Sequence, residues 1–181
     1  MKKVRVATAA LAGCFGCHMS LLDIDERILS LIDLVDFDRS PINDLKDFTG
    51  RCDVGLIEGA CATEENVHVL RRFRAMCDVL VSVGDCAVMA GISGVRNTVG
   101  LDECLEESYR RGPTLHNPDD RVPDDPELPL LLEHVVPCHE VVEIDHYVPG
   151  CPPSADALWT ILSQLIEGEE VALPVRHLRY D

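Results

Sequence analysis

Short apolar segments alternate with amphipathic helical segments along the chain, and this alternation constrains the fold more than any other feature. Strand-like runs lie at Lys3–Ala10, Leu34–Phe37, Asp53–Glu58, Val79–Val83 and Glu140–Val148. Helical periodicity lies at Met19–Ile32, from a Thr63 cap to Met76, at Asp102–Arg110 and, from a Ser154 cap, at Ala155–Glu167. Strands that alternate with helices predict an α/β fold with a doubly wound, mainly parallel sheet.

The length and hydrophobicity of the chain suit one domain of ordinary size. Hydrophobic residues make up 46% of the 181 residues, which is enough for a full core. Residues 112–129 contain five prolines and several Asp residues, so we expect a long surface loop there. We therefore predict a single domain over residues 1–181, without a repeat.

The net charge of −16 limits the classes of partner. Phosphate backbones and anionic membrane surfaces both attract Lys and Arg, so neither is an expected partner. No run approaches the ~18 apolar residues of a membrane span. We expect a cytoplasmic protein with no nucleic-acid and no membrane partner, and a protein partner with a basic or apolar face remains open.

Nine cysteines are many for a chain of this size. A disulfide framework would need a secreted protein, and such domains are usually shorter. The segment Leu11-Ala12-Gly13-Cys14 is similar to the lipobox of a bacterial lipoprotein signal, but Arg5 interrupts the apolar run before it. Metal or cluster binding in a reducing compartment is the preferred interpretation.

Four of the cysteines follow predicted strands. Cys14 and Cys17 come after the first strand, Cys86 after the Val79 strand, and Cys151 after the Glu140 strand. A parallel sheet brings the carboxyl ends of its strands to one edge, where open α/β sheets bind ligands. Four thiolates at one edge are the ligand number of a 4Fe–4S cluster.

Zinc and redox-dithiol sites are the alternatives. Structural zinc sites usually have two local ligand pairs, whereas only Cys14-x-x-Cys17 is a pair here. A thioredoxin-like dithiol would leave Cys86 and Cys151 without a role. Among the other cysteines, we interpret Cys52, Cys77 and Cys104 as small buried hydrophobes, and leave Cys61 and Cys138 open.

Glu58 and His18 are the other candidates near this edge. Glu58 ends the third strand directly before a glycine, so it is either a carboxylate satisfied by backbone donors or a redox-dependent iron ligand. His18 adjoins Cys17, but the histidines have no ligand spacing among them, so a surface or loop role is the default.

These motifs, in this order, resemble the small subunit of nickel–iron hydrogenases. The matching segments are Gly13-Cys14-Phe15-Gly16-Cys17-His18-Met19-Ser20-Leu21-Leu22, Ile57-Glu58-Gly59, Gly84-Asp85-Cys86-Ala87 and Val148-Pro149-Gly150-Cys151-Pro152-Pro153. The resemblance implies a flavodoxin-like fold, and it implies that Cys14, Cys17, Cys86 and Cys151 bind one proximal 4Fe–4S cluster. The nickel–iron centre then belongs to a separate large subunit.

Two differences from the longer, membrane-bound or periplasmic small subunits narrow the resemblance to the short small subunit of soluble bidirectional NAD-reducing hydrogenases. The sequence has no twin-arginine leader, and no cysteine follows Cys151 to bind further clusters. The implied function is electron transfer between the large subunit and NAD-reducing flavin and iron–sulfur subunits, with FMN in those partners and no complete active site in this chain. The related subunit of NADH:quinone oxidoreductase has adjacent cysteines in its first motif, whereas the CxxC spacing here favours hydrogenase. That subunit is the alternative, together with a flavodoxin-like flavin protein.

Overall fold

A five-stranded parallel sheet forms the centre of the molecule. A computed structural model describes residues 3–178; the two ends of the predicted domain, residues 1–2 and 179–181, lie outside the described residues. Within residues 3–178 the strands are β1 (Val4–Ala10), β2 (Val35–Phe37), β3 (Cys52–Glu58), β4 (Cys61–Thr63), β5 (Cys77–Val83), β6 (Leu131–Val136) and β7 (His146–Val148). The main sheet has the order β2-β1-β3-β5-β7 with every neighbouring pair parallel, which confirms the predicted α/β class.

Helices cover both faces of this sheet. They are α1 (Gly16–Leu22), α2 (Arg27–Leu34), α3 (Glu64–Met76), α4 (Asp85–Met89), α5 (Leu101–Glu106) and α6 (Ala155–Glu167). One apolar cluster joins one face of the sheet to α1, α2 and α6, and a second joins the other face to α3 and the Cys138 region. Two-sided coverage explains why the carboxyl halves of β3 and β5 are buried without interruption.

The predicted helix caps agree with the structure. Thr63 accepts a hydrogen bond from the backbone N–H of Asn66, whose side chain accepts from the Thr63 N–H in return. Ser154 accepts from the N–H of Ala157 at the start of α6, and Gly168 ends that helix at φ 70°.

The prediction of one helix over Met19–Ile32 was wrong. The chain forms α1 and α2, which are separated by a turn in which Asp25 has φ 56°. Ile24 within this turn is fully buried, so the apolar periodicity continues through the break although the backbone does not.

The prediction of a strand over Glu140–Val148 was also wrong in its first half. A 3-10 turn occupies Cys138–Glu140, and only His146–Val148 pairs with β5. The N–H groups of Val141 and Val142 both donate to the carbonyl of Cys138. These valines therefore belong to a turn, from which they pack against the apolar cluster on the α3 face of the sheet. The antiparallel pair β4–β6 was not predicted.

Candidate iron–sulfur site

The four cysteines that follow β1, β5 and β7 line one cavity at the carboxyl edge of the sheet. Its volume is about 80 Å³, and its walls also include Glu58, Asp85 and glycine backbone. Cys17 and Cys86 are half-buried, whereas Cys14 and Cys151 are exposed. The structure therefore brings together all four cysteines and the glutamate that the sequence singled out.

Gly84 leaves the space that Cys17 occupies. A Cβ atom at position 84 would lie 2.3 Å from the Cys17 Sγ, far inside van der Waals contact. Gly84 also has φ 83° and ψ 158°, a conformation that side chains rarely adopt. Both constraints require glycine at this position.

Asp85 ties the Cys86 loop to the Cys151 loop. Its Oδ1 accepts a 2.7 Å hydrogen bond from the Gly150 N–H, and its own N–H donates to the Gly150 carbonyl at 3.0 Å. The Gly84 N–H also donates to the Val148 carbonyl at 2.7 Å. Asp85 and Gly150 are 65 residues apart in sequence, so these bonds fix the spacing between two cysteines on distant segments.

Glu58 is a buried carboxylate beside Cys17. Its Oε2 accepts a 3.0 Å hydrogen bond from the His18 N–H, so the expected backbone donor is present. Its Oε1 lies 3.2 Å from the His18 Nδ1, but the alignment is poor and neither atom has a well-formed hydrogen bond. Burial raises the pKa of the Cys17 thiol, and the Glu58 carboxylate raises it further. Binding of a cation at Cys17 would therefore have to displace its proton.

His18 is a buried residue, contrary to the surface or loop role predicted for it. Its side chain is 4% exposed, stacks on Phe15 at a centroid distance of 4.6 Å, and its Nε2 lies 2.9 Å from the Thr8 Oγ1. Thr8 in turn lies 2.7 Å from the Ser40 Oγ, which accepts from the Ile42 N–H. A buried hydrogen-bonded chain thus leads from Glu58 to the loop after β2.

The remaining cysteines do not line the cavity. Burial raises the pKa of Cys61 to about 11 and that of Cys138 to about 12, and both pack in the apolar cluster on the α3 face. Cys52 and Cys77 are buried partners on β3 and β5, as expected of small hydrophobes. Cys104 is half-buried in α5.

Residues 3–178 contain no group of three or more His, Cys, Asp or Glu side chains arranged so that it could hold a single metal ion. No helix in the same range is long and apolar enough to cross a membrane.

Comparison with known proteins finds matches that cover most of this chain. The family model described as "NADH ubiquinone oxidoreductase, 20 Kd subunit" matches residues 14–165. The NAD-reducing hydrogenase HoxS subunit delta of Cupriavidus necator is 43% identical over 99% of this chain and 86% of that protein. One subunit of the F420-non-reducing hydrogenase of Methanothermobacter marburgensis is 37% identical over 98% of this chain, which spans 58% of that relative.

A solved structure matches as well. A chain of a crystal structure of NAD+-reducing [NiFe]-hydrogenase in the H2-reduced state superimposes with a TM-score of 0.95 and 51% identity. The match covers 99% of this chain and 100% of that one. These relatives confirm the resemblance to hydrogenase small subunits that the motifs predicted, and the fold that it implied.

Proposed function

This chain belongs to the family of the NADH ubiquinone oxidoreductase 20 Kd subunit, together with hydrogenase small subunits, and on that premise we propose that it is the electron-transfer small subunit of a cytoplasmic NAD(P)-linked nickel–iron hydrogenase. Its partners are a large subunit that carries the nickel–iron centre and a module of FMN-containing, NAD-reducing iron–sulfur subunits. The observation that carries the proposal is the single cavity lined by Cys14, Cys17, Cys86 and Cys151.

The donor set of this cavity fits one 4Fe–4S cluster. Thiolates are the usual ligands of iron–sulfur clusters, and four are present. When bound, such a cluster exchanges single electrons with neighbouring redox centres. Gly84 leaves room for the Cys17 sulfur, and Asp85 holds the Cys86 and Cys151 loops together, so the chain supplies both the ligands and their spacing.

Glu58 contributes a second, redox-dependent function to the same cavity. Its Oε1 is buried without a well-formed hydrogen bond, so this oxygen is available to an incoming cation. A carboxylate is a harder ligand than a thiolate and favours more oxidised iron. We propose that Glu58 would be a further iron ligand of the cluster in its oxidised form, and that beside the reduced cluster its carboxylate would stay with His18.

The hydrogenase assignment has one competitor within the family. The family model is described by an NADH ubiquinone oxidoreductase subunit, so a quinone-reducing complex is the alternative. The CxxC spacing of Cys14 and Cys17 and the 43% identity to a NAD-reducing hydrogenase subunit both favour hydrogenase.

Iron analysis of single-cysteine variants tests the cluster assignment. Replacement of Cys14, Cys17, Cys86 or Cys151 by Ala should lower the iron content and the absorbance near ~400 nm of anaerobically purified protein, since the cluster needs four ligands. Cys104→Ala is the matched control and should keep both. Unchanged iron in Cys86→Ala or Cys151→Ala would refute the assignment, and zinc in place of iron would favour a structural site.

A further inference from the structure

A second cavity, separate from the cysteine cavity, lies on the other side of the β1 carboxyl end. Its volume is about 350 Å³, within the range of small-molecule sites. Its walls are the end of β1, the loop after β2 and the first turns of α3, and none of its lining residues lines the cysteine cavity. The proposed electron transfer gives this cavity no role.

Arg39 on the wall of this cavity carries a positive charge that forms no ion pair with a carboxylate of residues 3–178. Its Nε donates to the Lys46 carbonyl at 2.8 Å, but its Nη1 is buried and has no hydrogen-bond partner among the residues that the structure describes. Asp47 lies nearby but is paired with Arg72 at 2.8 Å. An unpaired buried guanidinium nitrogen is costly, and it is unexpected in a chain whose net charge is −16.

The surroundings hold this guanidinium in place. Its Cζ lies 5.0 Å from the Phe73 ring centroid and 5.7 Å from that of Phe48, so the planar group stacks on aromatic faces. Together with the hydrogen bond from Nε, these contacts fix the orientation of the Arg39 guanidinium before any ligand binds. A guanidinium that is already oriented loses little side-chain entropy on binding, and this favours recognition of an oxyanion.

The other wall residues indicate the class of anion. Lys46 adds a second, exposed positive charge, and Ala9, Leu45 and Val69 provide an apolar surface. A carboxylate, Glu65, also lies on the wall, but it is solvent-exposed, whereas the Arg39 Nη1 is desolvated. Two cations suit a phosphate monoester, which carries between one and two negative charges, better than a carboxylate.

We propose that this cavity binds a phosphate-bearing small molecule of up to mononucleotide size, with Arg39 and Lys46 on the phosphate and the apolar wall against the organic part. The lining residues of this site are not those of the cysteine cavity, so its ligand need not take part in electron transfer.

Lysine footprinting of the purified complex tests this proposal. The described residues contain two lysines, Lys46 on the cavity wall and Lys3 at the amino end of β1, which serves as the internal control. At about ten times its Kd, adenosine monophosphate should slow the acylation of Lys46 roughly tenfold, because a bound phosphate occludes the amine. Acylation of Lys3 should not change, and acetate should protect neither lysine.

Two variants connect the protection to the cavity. Arg39→Gln should weaken the protection of Lys46 by at least about tenfold in concentration, because it removes a charge-assisted hydrogen bond. Leu45→Trp, at a half-exposed position on the wall, should fill the cavity and abolish protection even if Arg39→Gln does not fold. Arg51→Gln removes an exposed arginine paired with Asp78 elsewhere, and it should leave protection intact.

Three results would overturn the proposal. The first is an acylation rate of Lys46 that neither adenosine monophosphate nor inorganic phosphate changes up to about 10 mM. The second is protection that persists in folded Arg39→Gln or Leu45→Trp. The third is equal protection by acetate, which would show that the site does not select phosphate.

Discussion

Replacement of Gly84 by alanine should displace Cys17 and release iron. The new Cβ would lie 2.3 Å from the Cys17 Sγ, whereas ordinary contacts begin at 3.4 Å. The sulfur must therefore move by at least about 1 Å, several times the ~0.2 Å tolerance of metal–ligand distances. The backbone at φ 83° and ψ 158° adds about 1–3 kcal/mol of strain. We expect Gly84→Ala to lose most of its iron and its absorbance near ~400 nm.

Gly168→Ala is the matched control for backbone strain. Gly168 also has a positive φ, 70°, but an added Cβ would meet nothing within 4 Å, and α6 ends there. The cost should be about 1–2 kcal/mol, or roughly 2–8 °C in the thermal midpoint. Because no cysteine is displaced, the iron content should stay at the wild-type level.

Iron per chain and thermal midpoints, measured on the same anaerobic preparations, separate the two effects. Backbone strain should lower the thermal midpoint of both variants. Displacement of Cys17 should lower the iron content of Gly84→Ala alone. Full iron in Gly84→Ala, with a thermal midpoint as high as that of Gly168→Ala, would refute the reasoning from the glycine geometry.

Three further predictions concern other residues. Glu58→Gln should change the electron paramagnetic resonance or Mössbauer spectrum of the oxidised cluster and leave the reduced one near wild type; identical oxidised spectra would leave Glu58 with a structural role alone. Burial favours a higher pKa for Asp38, but hydrogen bonds from Thr49 and the Arg5 charge outweigh it and hold that pKa below its usual value. A carboxyl group whose pKa is lower in the folded than in the unfolded protein stabilises the folded state at pH values above its unfolded pKa of about 3.9. This contribution to the free energy of unfolding is lost as the pH falls through the folded pKa. Asp38→Asn should therefore be less stable at neutral pH and should lose less stability on acidification; an unfolding series with the same pH dependence as wild type would contradict this. Finally, Met19, Met89, Ile92 and Val95 are exposed apolar residues on segments next to the cysteine loops, so the chain without its large subunit should aggregate, and a stable monodisperse monomer would argue against an apolar interface there.

Sequence periodicity was sufficient to predict the edge of the sheet at which the cysteines meet. The strands before Cys14, Cys86 and Cys151 are apolar and β-rich, and parallel pairing alone brings their carboxyl ends together. The same reasoning located Glu58, because it ends β3.

The supporting contacts could not be predicted in this way. The bonds between Asp85 and Gly150 depend on the register of β5 against β7, which no local pattern specifies. His18 was assigned a surface or loop role because one histidine has no ligand spacing, yet α1 turns its ring into the space between Glu58 and Thr8. Arg39 has an ordinary sequence context, and what distinguishes it is a buried Nη1 without a hydrogen-bond partner among residues 3–178.

The buried chain from Glu58 to the loop after β2 joins the surroundings of two cavities. The Glu58 Oε2 accepts from the His18 N–H, and the His18 Nε2 lies within hydrogen-bond distance of the Thr8 hydroxyl. Thr8 shares a hydrogen bond with Ser40, which accepts from the Ile42 N–H. Thr8 and Ser40 also line the cavity of Arg39, whereas Glu58 lines the cysteine cavity. Hydrogen-bonded groups polarise one another, so the electrostatic potential at Glu58 depends on polar groups that extend to the wall of the second cavity.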